Sequence, residues 1–150
     1  SGKFIQFCAN GALAFARYPG WSNANAPLAQ NWMNFPAGKT GLRFEVVFKG
    51  MTGSGAQRMA VDLYIDTGSA DDNDRIFRHF HDHKAPIEAA FGAPLDWEEL
   101  PDRKASRISI TRPGEADSLD LSAWSNLRDW ALANIGQLRM ALQPHIASLP

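Results

Sequence analysis

Two segments of eight residues constrain this chain more than anything else in it. Leu42 to Lys49 reads Leu-Arg-Phe-Glu-Val-Val-Phe-Lys, with Leu42, Phe44, Val46 and Phe48 at every second position. Arg58 to Ile65 repeats the pattern with Met59, Val61, Leu63 and Ile65. Successive side chains of a strand point to opposite faces, so each segment gathers four apolar groups on one side. The glycine-rich stretch 50–57 between them suits a hairpin loop, and the pair predicts an antiparallel β-meander. Ala105 to Thr111 alternates in the same way, with Ile108 and Ile110 inward, and predicts one further strand.

Two helical patterns supply a cover for that apolar face. Ile76, Phe77, Phe80, Ile87 and Phe91 fall near one stripe at a 3.6-residue period, with Asn73 or Asp74 able to cap the start and Gly92 suited to the end. Pro86 lacks an amide donor, which predicts a kink or break near Ala85. Trp124, Leu127, Ala131, Ile135, Leu138 and Leu142 are spaced 3, 4, 4, 3 and 4 apart, a strong helical signal. Ser122 or Asp120 can cap that helix, and Pro144 is expected to end or kink it. Residues 3–35 settle on no element, although Trp32, Met33 and Phe35 form a short apolar stretch, as does the run 95–100 around Trp97. The expected fold class is α+β: an antiparallel sheet of about four strands, a meander plus one, with two main helices at 74–91 and 122–142 packed on one face.

Composition narrows the function classes. At 150 residues the chain fits a single domain, 1–150, large enough to hold a core without staples. Apolar residues at 45% and charged residues at 21% argue against disorder. No apolar run approaches the ~20 residues of a membrane-spanning helix, so no membrane partner is expected. The formal net charge of -1 excludes an overall basic glove for nucleic acid but leaves room for a local patch. A single cysteine, Cys8, can form neither an internal disulfide nor a cysteine-based zinc site, which makes a reducing cytoplasm the expected setting. The opening Ser1-Gly2, without an initiator methionine, suggests a domain excised from a longer protein.

Several residues invite a chemical reading. His79 and His83 stand one helical turn apart and could share a metal ion, but Phe80 occupies the place where a zinc-protease motif needs glutamate, and no third ligand is evident. A magnesium-dependent nuclease of the PD-(D/E)xK type needs an aspartate and an acid-x-lysine triplet on adjacent strands. Asp82-x-Lys84 fits the triplet but falls on a predicted helix. Asp102-x-Lys104 fits it in a turn before a strand, with no suitable aspartate strand ahead of it. Glu45 and Asp62 lie on predicted strands but lack a following x-Lys. No nucleophile elbow and no phosphate-binding glycine loop occurs, and no motif asks for a cofactor. One basic cluster remains: Arg103, Lys104, Arg107 and Arg112, which together with Arg58 or Arg43 from neighbouring strands could contact phosphates or a partner. Arg107 and Arg112 have opposite parity, so a regular strand would split them between faces. The five tryptophans could stack on bases, but core packing is the more economical role for them.

From Trp32 onward the order of motifs resembles an uncharacterised bacterial family, domain of unknown function 4268. The stretches are Asn31-Trp32-Met33-Asn34-Phe35, Gly38-Lys39-Thr40-Gly41-Leu42 and Val61-Asp62-Leu63-Tyr64-Ile65. They continue with Phe77, Phe80 and Lys84, then Ile87-Glu88-Ala89-Ala90-Phe91-Gly92, Leu95-Asp96-Trp97-Glu98-Glu99-Leu100 and Lys104-Ala105-Ser106-Arg107-Ile108, then Trp124, Trp130 and Pro144. The resemblance covers roughly residues 31–150. It implies a domain C-terminal in larger proteins, some of which carry a nuclease-like segment upstream. The expectation is therefore a non-catalytic accessory or recognition domain, linked to DNA restriction or defence through an N-terminal nuclease-like partner region or through DNA itself. The alternative is a divergent metal-dependent nuclease or hydrolase using Asp102, Lys104 or the His79/His83 pair.

Overall fold

Both alternating segments form strands in the computed structural model, which describes residues 32–49, 58–100, 105–114 and 124–150. The elements in chain order are β1 (Trp32–Pro36), β2 (Leu42–Lys49), β3 (Arg58–Ile65), α1 (Ala70–His81), α2 (Lys84–Phe91), β4 (Asp96–Leu100), β5 (Ala105–Thr111) and α3 (Trp124–Ala147). The strands make one antiparallel sheet in the order β1-β2-β3-β5-β4. From β3 the chain crosses through α1 and α2 to the far edge, forms β4, and returns as β5 into the gap beside β3. The sheet thus has five strands against about four expected, and three helices are described against two. The short runs at 32–36 and 96–100 are edge strands. Each is only five residues long, too short to show a period by itself, and each is defined by its pairing with β2 or β5.

The apolar side of the meander meets the helices as its periodicity requires. Leu42, Phe44, Val46 and Phe48 of β2 join Met59, Val61, Leu63 and Ile65 of β3, together with Phe35 and Ile108, in one buried cluster. Ile76, Phe77 and Phe80 of α1, Ile87 and Phe91 of α2, and Leu127, Ala131, Ile135, Leu138 and Leu142 of α3 complete it. Trp97 and Trp130 are half-buried against this core, in the packing role expected of them. Glu88 accepts hydrogen bonds from Leu95 N–H at 2.7 Å and from Trp97 Nε1 at 3.2 Å, tying α2 to the start of β4. The Leu95 amide, ahead of the indole, holds the Glu88 carboxyl below its usual range against a smaller opposing effect of burial.

Three local expectations are corrected. The cap of α1 is Ser69, whose side chain accepts from Asp72 N–H at 3.3 Å; Asn73 is buried, and its Oδ1 instead accepts from Thr67 N–H and Thr67 Oγ1, both at 2.7 Å. The first helix is not broken at Ala85. It ends at His81, and Pro86 sits in the first turn of α2, where its missing amide costs nothing. In a continuous helix its ring would strike the carbonyl four residues back, on Asp82, so the chain turns at Asp82 and His83. Pro144 does not end α3, which runs on to Ala147. The carbonyl that Pro144 leaves unbonded belongs to Met140, which is 61% exposed and faces water. Gly92 caps α2 in the left-handed conformation as expected, with φ 95°. The expected caps of the long helix, Asp120 and Ser122, and the loop at 50–57 lie outside the described residues.

Gly41 illustrates a position where only glycine fits. Its φ is +86°, and an added Cβ would stand 2.7 Å from Thr67 Cγ2 and 3.0 Å from Thr67 Cα. Its carbonyl accepts from Asp66 N–H at 2.8 Å, which locks the β1–β2 turn to the end of β3. Gly41→Ala is expected to lower the unfolding free energy by about 1–3 kcal/mol, the cost of a strained left-handed residue, with the clash in addition. Gly38→Ala, where no atom lies within 4 Å of the new Cβ, isolates the backbone part. Urea denaturation of the two variants side by side measures the difference.

Candidate functional site

The face of the sheet away from the helices is built from the other parity of the same strands, and it is polar. Register places Asn34, Glu45, Asp62, Ser109 and Asp96 in one row across all five strands. The next row reads Pro36, Arg43, Tyr64, Arg107 and Glu98. Arg43 donates from Nε to Glu45 Oε1 at 2.6 Å, and its guanidinium lies 4.4 Å from the centre of the Tyr64 ring. Arg107 donates from Nε to Glu98 Oε2 at 3.0 Å.

At the middle of this face stands an acid without a donor. Asp62 is 0% exposed, Ser109 opposite it is 0% exposed, and Glu45 on its other side is 5% exposed. Neither Asp62 carboxylate oxygen, nor Ser109 Oγ, has a hydrogen-bond partner. Burial first, and the neighbouring Glu45 second, push the Asp62 carboxyl well above its ordinary value. Glu45 can accept a hydrogen bond from Asp62 only when Asp62 carries a proton, so the neutral acid is the form this geometry favours. Lys49 sits in the same field. Burial, with Arg107 adding to it, lowers its pKa, while Glu98, Asp62 and Asp96 oppose the shift. Perturbed titrating groups gathered on one surface mark a functional-site candidate.

The sequence-predicted residues are sorted by the register. Arg58 opens β3 and is exposed; Arg112 lies one residue beyond β5, and its N–H donates to the Met59 carbonyl at 2.8 Å. The two therefore lie at the same end of the sheet, where Lys49 stands directly across from Arg58, but Arg112 stands across from the buried Met59 and follows the parity of the helix-covered side, away from the polar face that carries Lys49 and Arg58. Among the described residues none of Lys49, Arg58 and Arg112 makes a salt bridge. Arg107 belongs to the centre of the face and is already paired with Glu98. Arg103, Lys104 and Asp102 lie outside the described residues. Sequence reasoning missed Lys49, and it set Glu45 and Asp62 aside for want of a following x-Lys. The available signal was that all three, like Arg43, fall on the side of the predicted hairpin opposite its apolar residues.

The histidine pair is differently placed. His79 is in the last turn of α1, while His83 is in the corner after it. His83 Nδ1 donates to the His79 carbonyl at 2.7 Å, and His79 Nε2 donates to the His145 carbonyl at 3.1 Å. No group of three or more His, Cys, Asp or Glu among the described residues is arranged to hold a metal ion. Asp82 and Lys84 flank the α1–α2 corner, away from any strand. No helix among the described residues is long and apolar enough to cross a membrane.

Comparison with known proteins places this arrangement in a family. No curated protein and no solved structure matches the chain. The family described as Domain of unknown function (DUF4268) matches residues 10–146, starting some twenty residues before the resemblance read from the motifs. With most of its length matched, including every strand and helix of the described fold, the chain belongs to that family.

Proposed function

We propose that this domain is a non-catalytic recognition module that takes an anionic partner, a nucleic-acid backbone, on the end of the polar sheet face bearing Lys49 and Arg58. One observation carries the reading. Lys49 and Arg58 are directly opposed cross-strand neighbours of like charge, a pairing that costs stability unless an anion lies between them. Arg43 and Arg107 already have carboxylate partners, so they position the face and leave the phosphate contacts to the unpaired cations. As an accessory to a nuclease-like region in DNA restriction or defence, such a module supplies affinity without chemistry.

Two phosphate contacts give a slope of log K against log salt of about -1.8 on duplex DNA. A DNA shift assay across a salt series measures it. Lys49→Ala and Arg58→Ala are each expected to reduce the slope by about 1. A flat salt response, or slopes unchanged in both variants, would sink the reading.

The buried acid pair favours a second reading, a divergent metal-dependent nuclease or hydrolase in which Glu45, Asp62 and Lys49 share the chemistry. Cleavage of DNA that needs magnesium and is lost in Asp62→Asn would support it over the first.

A further inference from the structure

Three histidines that the sheet face does not use meet at the far end of the helical layer. The His79 and His83 ring centres are 5.1 Å apart, and those of His83 and His145 are 4.9 Å apart. His145 lies in the last turn of α3, more than sixty residues beyond the other two. We propose that His79, His83 and His145 form a proton-operated latch that holds the last turns of α3 against the α1–α2 corner and opens when the cluster takes up a second proton.

The hydrogen bonds define the closed state. A carbonyl only accepts, so His79 carries its proton on Nε2 and His83 carries its own on Nδ1. The first bond is the direct tie between α1 and α3, and Ser148 Oγ lies 3.2 Å from the same His79 nitrogen. Both α1 and α3 end here, and a helix C-terminus favours a nearby cation. Arg78 of α1 and Asp82 just after it border His79 in a groove that Pro150 also lines, with Arg78 paired to Asp74 at 3.1 Å. On α2, Lys84 follows His83 directly. A first proton in the cluster meets the two helix ends, which favour a cation. A second places like charges in rings about 5 Å apart, and neither His79 Nδ1 nor His83 Nε2 has an acceptor waiting among the described residues.

The pKa direction agrees. Burial first, then His83 and His79, lower that of His145. A group lowered in the fold contributes stability that is complete above the unfolded value of 6.5 and is lost as pH falls through the folded value. The latch is closed at neutral pH and opens on acidification.

Amide hydrogen exchange of the whole chain at about pH 7.5 and about pH 5.5, corrected for intrinsic rates, tests the latch. In the native sequence, protection of α3 after Met140 is expected to fall at least about tenfold relative to β3 and β5 on acidification. In His83→Asn/His145→Gln that differential loss is expected to disappear. Unchanged protection, loss spread evenly along the chain, or loss retained in the double variant overturns the proposal. An NMR titration of the native protein is the second test, and it needs no variant. His145 is expected to titrate below the ordinary histidine value of 6.5, and titration at or above that value overturns the proposal.

Discussion

Phe80→Ala is expected to lower the unfolding free energy by about 3–5 kcal/mol, the usual cost of deleting a buried phenyl ring together with the cavity it leaves. Phe80 is 0% exposed and lies in the core cluster where α1 meets the sheet and the neighbouring helices. A domain of this size has only about 5–15 kcal/mol in total, so the loss takes a large share of its stability. Urea denaturation measures it, with Met140→Ala on the solvent side of α3 as the control expected within about 0.5 kcal/mol of the native chain. If Phe80→Ala does not fold, Phe80→Leu keeps the measurement accessible at a smaller loss. A change below about 1 kcal/mol in Phe80→Ala would remove this ring from the core.

Asp62→Asn is expected to stabilise the protein, by an amount that grows with pH. Asp62 binds its proton more tightly in the fold than in the unfolded chain, where the ordinary value is 3.8. The native chain therefore has its full contribution from this site below that value and loses it as pH rises through the higher folded value. Asparagine is neutral throughout, and its amide can donate to Glu45 as the protonated acid does. The variant should match the native chain in acid and exceed it at about pH 8 by roughly 1–3 kcal/mol, the range for relieving an unpaired buried polar group. Urea midpoints across a pH series decide it, and a variant less stable at every pH would show that Asp62 holds a favourable charge. The same substitution separates the two functional readings. A recognition face keeps its DNA affinity in Asp62→Asn, whereas a hydrolase built on this acid loses its turnover. The acid limb of the His145 latch runs in the opposite direction, so the two effects can be resolved in a single pH series.

The elements that were legible share a physical basis. Leu42 to Lys49, Arg58 to Ile65 and Leu127 to Leu142 carry their own period, because alternation and the 3.6-residue repeat record which side of a segment meets the core. Gly92 was legible because a left-handed cap is a local backbone demand. The edge strands around Phe35 and Trp97 were not, since five residues show no period and their state depends on a partner strand. The break at Asp82 was misplaced because Pro86 acts on a carbonyl four residues earlier.

What the amino-acid order settled unaided was the type of each long element and the face it buries, since both depend on residues within one segment. Which polar groups become neighbours was decided by tertiary structure alone. Ser109 comes to lie across from Asp62, Lys49 across from Arg58, and His145 against His83 only after strand register, the insertion of β5 between β3 and β4, and the docking of α3 have been set. Those contacts join segments that share no local period, so the candidate sites arise from the packing of the elements and from no single stretch of chain.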